Sequence, residues 1–173
     1  MIKNVREMTS GSLIVIGLLL ILATVNQAIW IKEQLLAHGT PVSLALAPVD
    51  PRSLMQGDYM ALDWQLARDI RAVGPALPES GKAVLSLWNK TQGATFVRLD
   101  DGKPLAADEI RIDYRLRAGR VRLVTDAYFF QEGRSAAFAK ARYGEFRVAP
   151  NGQALLVGLQ DEHFVRINGE PKR

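Results

Sequence analysis

From Ser12 to Ile31 the chain runs through Leu, Ile, Val, Gly and Ala, and no charged side chain occurs between Glu7 and Lys32. About 20 residues at 1.5 Å rise cover a hydrocarbon core of roughly 30 Å, so the run predicts a membrane-spanning helix over 12–31. It is apolar all round, unlike the one-sided stripe of a core helix. Trp30 sits where an interfacial aromatic belongs. Asn26 and Gln27 are polar positions near the outer end, candidates for contact with a neighbouring membrane helix or simply interfacial. A cleavable signal peptide needs small residues at −3 and −1 just after the apolar run. The residues around Gln27 do not supply them, and Ala45 and Ala47 lie far downstream, ahead of Pro48. The run is therefore read as an uncleaved anchor. Lys3, Arg6 and the amino terminus flank its start, against Lys32 beside Glu33 at its exit. That bias puts the N-terminus in the cytoplasm and the rest outside, which in a bacterium means a single-pass inner-membrane protein with a periplasmic domain.

Beyond the anchor the period changes. Residues 32–41 read as a juxtamembrane extension, with Gly39, Thr40 and Pro41 ending the helix. Val42, Leu44 and Leu46 then alternate with smaller residues, the two-residue period of a half-buried strand. Met60, Leu62, Trp64 and Leu66 alternate in the same way and predict a second strand. Residues 71–81, with two glycines and two prolines, read as a loop. Strand-like runs follow at 82–89, 93–99 and 110–116, then Ala118-Gly119 turns into Val121, Leu123 and Thr125. Residues 134–142 are the helical stretch, stopped by Gly144. Phe146 and Val148 lead through Asn151-Gly152, a favoured two-residue hairpin turn, into 154–159. The expected fold is one N-terminal transmembrane helix plus a β-rich, mixed or antiparallel α+β domain of about seven or eight strands with one short helix. The organisation is 1–11 cytoplasmic, 12–31 transmembrane, 32–41 juxtamembrane, 42–167 domain and 168–173 flexible tail.

Charge narrows the partners. The net charge is +4, of which Lys3, Arg6 and Glu7 account for +1, leaving a scattered +3 on the rest. There is no Lys/Arg run or aromatic-basic module that would follow a nucleic-acid backbone. With no cysteine, a disulfide framework, a thiolate metal site and a lipidated cysteine are excluded. The two histidines, His38 and His163, have no partner at ligand spacing, so no metal or other cofactor is expected. The acidic pairs Asp100-Asp101, Asp108-Glu109 and Asp161-Glu162 sit in turn-like contexts and read as solvated.

Residues 57–64 read Gly-Asp-Tyr-Met-Ala-Leu-Asp-Trp. This resembles the bacterial family named for the motif Gly-Asp-Tyr-x-x-Leu-x-Tyr: Gly57, Asp58, Tyr59 and Leu62 match, and Trp64 replaces the last tyrosine. Phe130-Gln-Glu-Gly, Ala141-Arg-Tyr-Gly-Glu-Phe-Arg-Val and Leu155-Leu-Val-Gly-Leu also look like that family, so the resemblance spans about 42–165. It implies a membrane-anchored envelope protein of undefined function with a multi-span membrane protein as partner. The Trp64 departure leaves open any role that needs a phenolic hydroxyl there.

Within these motifs Gly57 suits a backbone position with positive φ, and Asp58 can fix a turn. Arg52, Asp58 and Tyr59 are candidates for a polar recognition surface, set against a plain stiff turn between strands. Arg142, Tyr143 and Glu145 form a second candidate group: Arg142 either serves a helix C-terminus or joins Glu145, Asp58 and Arg52 in one polar cluster. Three functional readings follow. The leading one is a non-enzymatic accessory or interaction subunit of an envelope membrane complex. The alternative is a membrane-tethered binding module for a small molecule, glycan or lipid headgroup, which requires a pocket lined by aromatics such as Tyr59, Trp64 or Trp88, residues that otherwise serve the core. The remaining reading is a Ser/Lys hydrolase with Ser53 as nucleophile and Lys82 or Lys90 as base, which demands a desolvated lysine.

Overall fold

The computed structural model describes residues 2–47, 55–56, 59–88 and 93–167, with the backbone alone for 2–10 and 55–56. The chain divides into two compact units, Met1–Ala37 and His38–Arg173. The first is helical: α1 runs Ile2–His38. From Gly11 onward, 28 residues are apolar enough to cross a membrane, about 42 Å of helix against a core of roughly 30 Å. Leu13, Val15, Leu18, Leu20, Ile21 and Val25 are all exposed, so the apolar surface surrounds the helix instead of forming one stripe. The helix ends at His38, and Gly39 bends the chain, as the Gly-Thr-Pro signal predicts.

The second unit holds ten strands among the described residues, arranged in three antiparallel sheets. The first sheet is β1 (Thr40–Ala45), β9 (Tyr143–Val148) and β10 (Ala154–Gln160), with β9 in the middle. Pro41 lies inside β1, tolerated because β1 is the edge strand of this sheet and a missing N–H costs no ladder bond on its open side. The second sheet is β2 (Met55–Gln56), β3 (Tyr59–Ala61) and β8 (Ala127–Phe129). The third is β5 (Ala94–Leu99), β4 (Ser80–Leu87), β6 (Glu109–Arg117) and β7 (Arg120–Arg122), in that order across the sheet. Among the described residues the unit also has two short helices, α2 (Gln65–Ala72) and α3 (Ser135–Phe138).

The fold class is as the alternating patterns predict, with ten described strands for the expected seven or eight and two short helices for one, and three local details also differ. The alternation from Met60 to Leu66 does not continue as a strand. β3 stops at Ala61, Trp64 makes a single antiparallel bridge with Leu46, and α2 begins at Gln65. Leu66 and Ile70, four apart, bury one face of α2, and Gln65 Nε2 donates to Asp69 Oδ1 at 2.7 Å along another. The helix expected over 134–142 shrinks to one turn, α3, with Phe138 buried. The turn after β9 is not the two-residue form. Pro150 has no N–H with which to close such a hairpin, so Ala149 makes the closing bond to Gln153 O at 2.7 Å. Gly152 N donates to Ala149 O at 2.9 Å, and Gly152 takes φ +95°. By contrast Ala118-Gly119 does make a tight turn with both residues at positive φ, 49° and 74°.

One core joins the sheets. Val42, Leu44, Phe146, Val148 and Leu159 from the first sheet meet Ala83, Leu85, Ile110 and Ile112 from the third, with Met60, Leu62, Trp64, Leu66 and Ile70 between. Tyr114 lies over Gly81, where a Cβ would stand 2.8 Å from its hydroxyl, and burial raises that phenol above its usual pKa.

Candidate functional site

The segment after β3 drives Trp64 into the core, where it is 2% exposed. Its indole Nε1 donates to Thr125 O at 2.9 Å, satisfying the buried N–H, and its ring meets Phe146 edge-on at 5.0 Å. The ring also lies directly on Gly144: a Cβ there would stand 2.4 Å from Cη2 and 2.7 Å from Cζ3. Glycine at 144 is thus required by the indole, and the two separated sequence motifs are in direct contact. Backbone bonds brace the junction, Ala47 N to Asp63 O at 2.8 Å and Leu46 N to Arg142 O at 2.9 Å.

Strand alternation turns the neighbours of Gly144 the other way. Glu145 faces Ser43 on β1 and, past a bulge between Leu156 and Gly158, Gly158 on β10. The small residue at 158 admits Arg166, whose Nε would lie 3.2 Å from a Cβ there. Arg166 holds Glu145 Oε2 with Nε at 3.0 Å and Nη2 at 2.9 Å. Gln160 Nε2 reaches the same oxygen at 3.5 Å while its Oε1 accepts from Ser43 Oγ at 2.8 Å. Arg147 Nη2 stands 4.0 Å from the other oxygen. Ser43 and Gln160 are buried polar residues, and this network is what satisfies them. Tyr143 stacks on Phe164 at 4.2 Å, and Phe164 holds φ +61°. That strained residue sits in a hook secured by Asp161, whose Oδ1 accepts from His163 N at 2.9 Å and Val165 N at 3.0 Å. The backbone N–H of Val165, then that of His163, keeps the Asp161 carboxyl below its ordinary pKa.

The chain belongs to the GDYXXLXY protein family, whose model matches residues 21–159. No curated protein and no solved structure matches it. In the described part of the GDYXXLXY naming motif, Tyr59 is half-buried on β3 with its ring 5.8 Å from Phe129, Leu62 is buried, and Trp64 fills the core. Arg52, Gly57 and Asp58 lie outside the described residues, as do Ser53, Lys90 and the tail 168–173. Arg142 is exposed and donates to Ala141 O at 3.1 Å, and it is Arg166, not Arg142, that pairs with Glu145. On α1, Asn26 donates back to Leu22 O at 2.9 Å, and Gln27 is exposed.

Spacing alone could not have found Ser43, Gln160 and Arg166. Ser43 and Gln160 are 117 residues apart, and only the strand register joins them. In the first two acidic pairs one carboxylate each is held by an arginine, while Asp161 of the third is held by backbone N–H groups. Arg111 Nε donates to Asp100 at 2.8 Å, and Arg98 Nη1 to Glu109 at 2.6 Å. These bonds hold Asp100 and Glu109 below, and Arg98 above, their ordinary pKa values. Among the described residues no group of three or more His, Asp or Glu side chains is placed to hold a metal ion. Lys82 stands 3.5 Å from Asp113 and donates to Asn151 O, a polar and half-open setting opposite to the desolvation a lysine base needs.

The sequence motifs also do not single out a concavity on the domain. A cleft of about 850 Å³ runs between α2 and β7. Leu62, Trp64, Ala67 and Val121 contribute its apolar wall, and Arg68, Arg71, Arg120 and Arg122 its cations. Asp63 pairs with Arg68 at 2.7 Å and Asp126 with Arg122 at 2.6 Å. Of the aromatics expected in a pocket, only Trp64 reaches this cleft. Tyr59 packs on Phe129, and Trp88, half-exposed, donates from Nε1 to Thr95 Oγ1 at 3.2 Å.

Proposed function

We propose that this GDYXXLXY protein is a membrane-anchored, non-enzymatic interaction subunit of a bacterial envelope membrane complex. It sits in the inner membrane with its N-terminus in the cytoplasm and its β-rich domain in the periplasm. The observation that carries the reading is the anchor: a helix apolar around its whole circumference, with polar Asn26 and Gln27 near one end, on a chain whose domain has its own core. A helix with no amphipathic stripe has its natural partner in lipid and other membrane helices. The polar side chains of the motifs also support the reading, since Glu145, Tyr143 and Trp64 are spent on packing and internal bonds. A photo-crosslinking residue placed at Asn26 or Gln27 in native membranes tests it. Capture of a multi-span membrane protein is expected, and crosslinks to lipid alone would overturn it.

The second reading, a binding module, draws on the arginine-lined cleft and merges with the first if the ligand is a segment of the partner.

A further inference from the structure

We infer that the cleft between α2 and β7 binds an extended acidic segment of a partner protein, in which carboxylates flank apolar side chains. The inference rests on the interaction-subunit reading and names the surface that would do the recognising. Four guanidiniums from two different elements line the cleft against two carboxylates, Asp63 and Asp126. Those carboxylates are taken by Arg68 and Arg122. Arg71 reaches only Gly74 O at 3.4 Å, and Arg120 has no carboxylate partner among the described residues. The cleft is therefore positive by two charges, and a guanidinium is a rigid fork suited to carboxylate.

The layout favours a chain over a compact anion. Arg68 and Arg71 are three apart and share one face of α2, whereas Arg120 and Arg122 are two apart and share one side of β7. Cations are thus spread along two walls of a cleft that Leu62, Ala67 and Val121 also line. A peptide alternating acidic and apolar residues has the matching period. β7 is also the last strand of its sheet, so among the described residues no strand pairs with its outer edge, where an extended segment can lie.

The test uses the full chain in neutral maltoside micelles and a fluorescein-labelled Glu-Leu-Glu-Leu-Glu peptide, read by anisotropy at about 0.15 M salt. Binding is expected, with none to the Lys-Leu-Lys-Leu-Lys counterpart. Arg71→Ala with Arg120→Ala should weaken it by at least about tenfold, and the Lys pair by less. Both arginines are solvent-facing, and circular dichroism checks that the variants stay folded. No binding of the acidic peptide, or equal affinity in the double alanine variant, overturns the inference. Displacement by millimolar inorganic phosphate, or by micelles carrying phosphatidylglycerol, also overturns it and assigns the cleft to a phosphoryl ligand. If the peptide fails while crosslinks from Asn26 or Gln27 still capture a membrane partner, only the cleft assignment falls.

Discussion

The two faces of strand β9 have opposite chemistry. Gly144, Phe146 and Val148 turn inward, all buried, and meet Trp64, Val42 and Leu44. Tyr143, Glu145 and Arg147 turn outward, and the returning C-terminal segment covers Tyr143 with Phe164 and Glu145 with Arg166. One motif thus serves two layers. The inner layer tolerates no change of volume, because packed atoms cannot move apart cheaply. The outer layer is held by charge-assisted bonds that solvent can partly replace.

The largest effects are expected on the inner face. Trp64→Ala removes a buried indole and leaves Thr125 O without its donor, so it should cost about 3–5 kcal/mol in thermal or denaturant unfolding. Gly144→Ala drives a methyl into the same ring and should cost about 1–3 kcal/mol. Phenylalanine lacks the ring atoms that crowd position 144, so Gly144→Ala should cost less in a Trp64→Phe background. A double-mutant cycle without coupling between the two sites would break the contact as described.

On the outer face Glu145→Ala should cost about 1 kcal/mol, since Arg166 is half-open to water and can be resolvated. If it costs as much as Trp64→Ala, the contrast between the faces is wrong. Acid provides a gentler probe of the charged layers. Asp100, held by Arg111, and Glu109, held by Arg98, have folded pKa values below their unfolded ones, and so has Asp161 in the C-terminal hook. On acidification the unfolded chain therefore takes up protons first. Their contribution is complete above about pH 4–5, and it is lost as pH falls through the folded values. Melting temperature followed from pH 6 to pH 3 should drop at the acid end, with a shallower drop in Asp161→Asn. An unchanged slope in that variant would remove the hook from the account.

Period-two alternation made β6 and β9 legible, because each carries one polar face, and Asn151-Gly152 marked the hairpin into the apolar run of β10. The same alternation misled at Met60–Leu66, since Leu66 also begins the four-residue spacing to Ile70 that α2 buries. β8 is three residues long and carries no pattern of its own. The importance of Trp64 and Gly144 was readable as motif letters, but their contact was not. It depends on the register of β9 with β1, as does the link from Ser43 through Gln160 to Glu145. Composition also hid the arginine-lined cleft, because four of its cations are scattered over residues 68–122 and meet only in the fold.

The smallest expected effect separates that cleft from both faces of β9. Arg71 and Arg120 bear no carboxylate contact among the described residues, so Arg71→Ala and Arg120→Ala should each change stability by no more than about 0.5 kcal/mol. Arg122→Ala breaks an exposed pair with Asp126 and should cost about 0.2–1 kcal/mol. Guanidinium-for-alanine exchanges that leave the melt unchanged would mean that these cations do little for the fold, as expected of side chains held ready for a ligand. A loss above about 2 kcal/mol at Arg120 would instead make it part of the hairpin's own support. The cleft would then join the outer face of β9 as structure, and the acidic-segment assignment would lose the free charge on which it depends.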